Sequence, residues 1–198
     1  MGFLKMQKRG GVQSRGQKKP FTALNVQMLE TLLSSDIADT SVRDCALLRV
    51  AIDTALRSSD ILALTVDDVT HDGVVKDELI LQQTKTKRTV RCAIMPRTKI
   101  ALGRWIATSG YAGCNRLFPF TSQRYRQIIK GWARMLRLDP RAYSTHSMRR
   151  SKVALIYQET KDIAVARQIL GHASLAETCR YLDVDGGKAM DVARSFDI

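Results

Sequence analysis

Four side chains able to act together on one group lie between Tyr143 and Tyr181: His146, Arg149, His172 and Tyr181. His146 and Arg149 stand three residues apart. With Ser144 or Thr145 as cap they share one face of a helix that continues through Met148, Val153, Leu155 and Ile156. A second helix, from about Asp162 to Leu170, buries Ile163, Ala166, Ile169 and Leu170 at helical spacing. Gly171 sits where a C-terminal glycine stop belongs, so His172 follows a fixed turn. Ser174 with Glu177 three residues later reads as a capping box, which places Tyr181 about two turns into a short helix.

Taken singly, each residue has an ordinary structural explanation: a histidine caps a helix end, a tyrosine packs in a core, and an arginine beside a histidine is solvated. Taken together they suit a phosphate with a nucleophile aimed at it. The planar fork of arginine pairs bidentately with phosphate oxygens and keeps its proton, while histidine donates to an oxygen or accepts a proton near neutral pH. A phenol, with a pKa near 10, attacks only when a proton acceptor lies close and the phosphorus is strongly polarised.

TALRSSDILAL around Arg57, HxxR in His146 to Arg149, LGH in Leu170 to His172 and a tyrosine nine residues beyond that histidine occur in this order. Over roughly residues 21 to 197 the chain thereby resembles the catalytic domain of the tyrosine recombinases, the phage integrase and Xer group. The resemblance implies a mostly α fold with a small three-stranded antiparallel sheet. It also implies a cofactor-free, metal-free transesterification in which Tyr181 attacks a DNA phosphodiester. Arg57 and Arg149 would clamp the nonbridging oxygens, His146 would accept the phenolic proton, and His172 would donate to an oxygen. A lysine on a hairpin would protonate the leaving 5′ oxygen, and Lys85 matches the TKT setting better than Lys87. Three positions depart from the family pattern: Ala55 where glycine is usual, Asp60 where glutamate is usual, and Arg150 where histidine is common. A type IB topoisomerase shares this chemistry, and a DNA-binding accessory protein with a decayed site is the other alternative; LGH with its tyrosine and the intact set of six residues favour the recombinase.

The elements that must hold these groups can be read on either side. Thr22 to Ser34 is an amphipathic helix with Val26, Leu29, Leu32 and Leu33 inward, and Ser41 caps a second helix that delivers Arg57 to a helix junction. Val74–Val75, Glu78 to Gln83 and Thr89 to Met95 read as three short strands of one antiparallel sheet, with Lys85, Lys87 and Arg88 at a hairpin tip. Arg97 to Thr108 forms a further helix. Another, from Thr121 or Ser122, sets Ile128, Ile129, Trp132 and Met135 against Arg124, Arg126, Lys130, Arg134 and Arg137. Lys87, Arg88, Arg124, Arg126, Lys130 and Arg150 are therefore the candidate DNA contacts.

Thirty-two Lys and Arg against 19 Asp and Glu give a net charge of +13 and a pI of about 10.0, which favours a polyanion such as double-stranded DNA. With 44% hydrophobic residues, 198 residues suffice for one buried core. No apolar run reaches a membrane span and no signal peptide is read, so a soluble cytoplasmic, nucleoid-associated protein is expected. Cys45, Cys92, Cys114 and Cys179 are scattered, which suggests neither a disulfide framework nor a metal site. Residues 1 to 20 hold six Lys and Arg, four Gly and no acid, and read as a flexible basic arm ahead of one domain spanning 21–198. The usual integrase has a helical core-binding domain there, so the chain is either an excised domain or a short recombinase. A last helix after Gly186–Gly187, with Met190, Val192, Ala193 and Phe196, is expected to exchange between subunits of a tetrameric synapse on DNA.

Overall fold

Thr22 starts the first helix, α1 (Ala23–Ser34), through a reciprocal cap: its hydroxyl accepts from Asn25 N–H and its own N–H donates to Asn25 Oδ1, each at 3.1 Å. The computed structural model describes residues 18–36, 38–170 and 178–179. Val26, Leu29 and Leu33 of α1 are buried, whereas Leu32, expected inward, is exposed, so the apolar stripe is narrower than its spacing allows. The second helix, α2 (Asp39–Thr54), begins two residues before Ser41. Asp36 rather than Ser41 organises that entry: its carboxylate accepts from Ala38 N–H and from the Ser41 hydroxyl at 2.7 Å.

Helix α2 is the spine of the core, with Ala46, Leu47, Leu48, Val50, Ala51 and Ile52 buried. It packs along α5 (Pro96–Ser109) and against α1. Its last turn ends at Ala55 in the left-handed conformation (φ 48°), which turns the chain into α3 (Ser58–Ala63) with Arg57 at the cap position. A single turn, α4 (Val66–Val69), follows under a capping box between Thr65 and Asp68.

The expected three-stranded sheet is instead two separate ladders. Val74–Val75 (β2) folds back on Thr70–His71 (β1), pairing His71 with Val74 and Thr70 with Val75. The cause lies in Asp72 and Gly73, both at positive φ (49° and 76°), the geometry that closes a two-residue hairpin with the twist of its strands. Glu78–Gln82 (β3) pairs with Thr89–Ala93 (β4) from Glu78 opposite Ala93 to Gln82 opposite Thr89. The remaining architecture, mostly helical with small antiparallel β elements, is the expected one.

After α5, helix α6 (Ser122–Met135) is capped by Thr121 and buries Tyr125, Ile128, Ile129, Trp132 and Ala133. A 3₁₀ turn (Pro140–Ala142) leads into α7 (Thr145–Thr160), and Asp162, whose carboxylate accepts from Ala164 and Val165 N–H, opens α8 (Ile163–Leu170). A small second core of Ala55, Val153, Ala166 and Leu170 joins α7 and α8 to the left-handed end of α2. None of the described helices is long and apolar enough to cross a membrane.

Candidate active site

Ser144, not Thr145, caps α7: its hydroxyl accepts from His146 N–H at 3.2 Å, and its N–H donates to Ser147 Oγ at 3.0 Å. This puts His146 in the first turn, at the surface, and Arg149 one turn deeper, where it is 4% exposed. Arg149 Nη1 donates to the Ala55 carbonyl at 2.8 Å, and Nη2 donates to the Leu170 carbonyl. The left-handed turn at Ala55 leaves the end of α2 with a carbonyl outside the helical ladder, and the guanidinium takes it. One arginine thus ties the turn that carries Arg57 to the end of α8, two residues before His172.

Arg57 is half-buried, and its Nη1 donates to Gln83 Oε1 at 2.6 Å. Gln83 begins the β3–β4 turn, which closes through Gln83 N–H to the Arg88 carbonyl at 2.8 Å and Lys87 N–H to the Gln83 carbonyl at 2.9 Å. Lys87 takes positive φ (55°) to make that turn. Asp60, on α3 and 2% exposed, receives Thr84 N–H on Oδ1 at 2.9 Å, so the residue before Lys85 is fastened to the helix that follows Arg57. Among the described residues its Oδ2 has no hydrogen-bond partner.

These ties converge electrostatically on His146. Desolvation first, then the charges of Arg149, Arg150, Arg57 and Lys85 in that order, push its pKa below the ordinary imidazole value. Lys85 is the hairpin lysine among those charges. A neutral imidazole is able to accept a proton, and Arg149, Arg57 and Lys85 lie near enough to act on it electrostatically. Arg57, Lys85, His146 and Arg149 are therefore brought together; His172 and Tyr181 lie outside the described residues.

The other candidates separate into two groups. Lys87 and Arg88 on the hairpin and Arg124, Arg126 and Lys130 on α6 are all exposed. Arg150, read as a DNA contact, is only 6% exposed and donates from Nη1 to the Lys18 carbonyl at 2.9 Å. Around it Ser151 Oγ accepts from Phe21 N–H at 2.9 Å, Lys19 N–H donates to the Ala142 carbonyl at 2.9 Å, and Phe21 stacks on Tyr143. Through its bond to the Lys18 carbonyl Arg150 fastens the entering segment to α7. Sequence reasoning did not single out Gln83 and Thr86, whose only signal was two polar residues flanking the Thr84–Lys85 pair; it noted Asp60 only as a departure from a pattern.

The phage integrase family model matches residues 22–187. The chain belongs to the phage integrase family. Among its relatives, the probable integrase/recombinase YoeC of Bacillus subtilis (strain 168) is 32% identical over 150 residues, covering 72% of this chain and 78% of YoeC. Tyrosine recombinase XerD of Listeria monocytogenes serotype 4b (strain F2365) is 26% identical over 194 residues, 93% of this chain but 64% of XerD. The XerH site-specific recombinase, solved bound to palindromic difH substrate in a post-cleavage complex, shares the fold with a TM-score of 0.70 at 19% identity. The match takes in 89% of this chain and 53% of that one. The catalytic domain of bacteriophage HP1 integrase matches with a TM-score of 0.61 at 17% identity, over 91% of this integrase-family chain and 95% of its own. The chain thus spans about half of the XerH chain and nearly all of the HP1 catalytic domain.

Proposed function

We propose that this chain is the catalytic part of a site-specific DNA recombinase that cuts and rejoins DNA through a 3′-phosphotyrosyl intermediate. The observation that carries the reading is the chain of bonds that gathers these groups: Arg149, one turn beyond His146 on α7, holds the Ala55 turn that leads to Arg57, and Arg57 holds Gln83 at the base of the Lys85 turn. Tyr181 Oη attacks the scissile phosphorus while His146 takes the phenolic proton. A P–O bond to tyrosine forms as the P–O5′ bond breaks, and Lys85 passes a proton to the departing 5′ oxygen. Arg57 and Arg149 hold the two nonbridging oxygens and His172 donates to one of them. The reverse step, with a different 5′ hydroxyl, completes strand exchange, and the covalent bond conserves the energy of the one broken.

The partner is double-stranded DNA. Exposed Arg126, Lys130 and Arg134 recur every fourth residue and so form one basic stripe along the solvent side of α6. Residues 1–20 act as a basic arm that follows the DNA backbone from a root at Lys18 and Lys19, which are bonded to Arg150 and Ala142; residues 21–198 form the catalytic domain, and the segment after Gly186 joins neighbouring subunits in a tetrameric synapse. The protein works in the cytoplasm, at the nucleoid. The experiment is to incubate the chain with a pool of nicked duplexes of randomised sequence and to look for protein–DNA adducts that survive denaturant. Adducts enriched in a defined sequence support the reading; their absence at every pool concentration opposes it.

A further inference from the structure

Gln83 has no part in the chemistry above, yet it is 2% exposed and its Oε1 receives two donors: Arg57 Nη1 and Thr86 Oγ1, each at 2.6 Å. An amide oxygen offers two lone-pair directions, so both are filled. One donor belongs to the first clamp arginine, the other to the residue after Lys85. The backbone of Gln83 closes the same turn at both ends, through Arg88 and Lys87. We propose that Gln83 is a positioning residue that couples the phosphate clamp to the general acid. Arg57 and the Lys85 turn share one acceptor atom, so an Arg57 that shifts toward a phosphate carries the lysine turn with it. Protonation of the leaving oxygen is then in register only when the clamp is engaged. The inference rests on the recombinase reading for its consequence, but the mechanical link is a property of the free protein.

The test compares parent, Lys85→Ala, Thr86→Val and Gln83→Leu on a nicked duplex bearing a site recovered from the randomised pool. The duplex carries either the normal 5′ oxygen or a 5′-bridging sulfur, which leaves with little need of a proton. Thr86→Val cuts the link on the lysine side alone. It should slow oxygen cleavage about 10-fold and, like Lys85→Ala, recover on sulfur. Gln83→Leu releases both sides and should lose about 100-fold, the scale of a small misplacement of reacting groups, and recover only about 10-fold of it on sulfur. A buried amide that merely supported the fold would slow both substrates equally. A sulfur-to-oxygen ratio unchanged from parent in Gln83→Leu or in Thr86→Val therefore overturns the coupling. Side-chain ¹⁵N NMR of the free protein reads the link without catalysis: Thr86→Val, at a half-buried turn position, should shift the Arg57 guanidinium signals, and unshifted signals overturn the proposal. If the parent forms no adduct while the Arg57 signals move as expected, the recombinase reading fails and the link stands.

Discussion

Arg149→Ala should unfold far more easily than Arg57→Ala, although both residues are assigned to the same phosphate clamp. Arg149 is almost fully buried and donates to two carbonyls, Ala55 and Leu170, that bind α7 to the end of α2 and the end of α8. A hydrogen bond from a charged donor contributes about 1.5–3 kcal/mol, so the pair contributes about 3–6 kcal/mol. Removing a buried guanidinium also removes its desolvation cost, which leaves a net loss of about 3 kcal/mol. For a chain of this length each kcal/mol moves the melting temperature by about 2–4 °C, giving a fall of about 6–12 °C. Arg57 is half-buried, so solvent screens its one bond to Gln83 and its loss should cost only about 1 kcal/mol, or about 2–4 °C. Thermal unfolding followed by circular dichroism, without DNA, measures both. Arg149→Lys should fall between parent and Arg149→Ala, since one ammonium cannot span both carbonyls as a fork does. Melting temperatures of Arg149→Ala and Arg57→Ala within about 2 °C of each other would refute the bracing role. The consequence for enzymology is direct: lost cleavage in Arg149→Ala reports folding as well as chemistry.

Three further outcomes follow. The His146 imidazole should titrate below about 6.5 in the free protein by NMR. The unfolded chain then binds the proton first, so His146 contributes stability above that value and loses it as the pH falls through the folded pKa; His146→Gln should flatten this part of the stability–pH curve, and a His146 value above 6.5 would contradict the cation cluster. Lys130→Ala should leave the melting temperature unchanged and reduce the slope of log K against log salt by about 0.9, the share of one phosphate contact, with an unchanged slope removing α6 from the interface. Arg150→Ala should leave that slope unchanged and instead raise hydrogen exchange at the Lys19 and Phe21 amides, because its buried guanidinium holds the Lys18 carbonyl.

Much of this is legible in the sequence because the signals are local. Helix boundaries at Thr22, Thr121 and Ser144 follow from caps that lie within three residues of the groups they satisfy. The junction at Arg57 was legible from an apolar run interrupted by serines. What sequence spacing could not supply were bonds across long separations. The second acceptor of Arg149 lies 21 residues away and its first 94, and the Arg57–Gln83 bond spans 26. Arg150 is a candidate DNA contact by its charge alone, and charge says nothing of direction; the carbonyl it holds lies 132 residues earlier in the chain. The division of the β elements into two ladders differs from the expected single sheet for another reason. Asp72–Gly73 carries a two-residue hairpin signal, but its strands are only two residues long, too short for alternation to show.

The central claim is that the Tyr181 oxygen becomes bonded to the 3′ phosphate of cleaved DNA. The most direct measurement is mass spectrometry of the adduct recovered from nicked duplexes after protease and nuclease digestion, alongside a Tyr181→Phe variant assayed for binding and for adduct. The account predicts a nucleotide-bearing peptide modified at Tyr181, a free 5′ hydroxyl on the other DNA end, and a phenylalanine variant that binds DNA like the parent but forms no adduct. An adduct that persists in Tyr181→Phe, or a modification mapped to another residue, would contradict it.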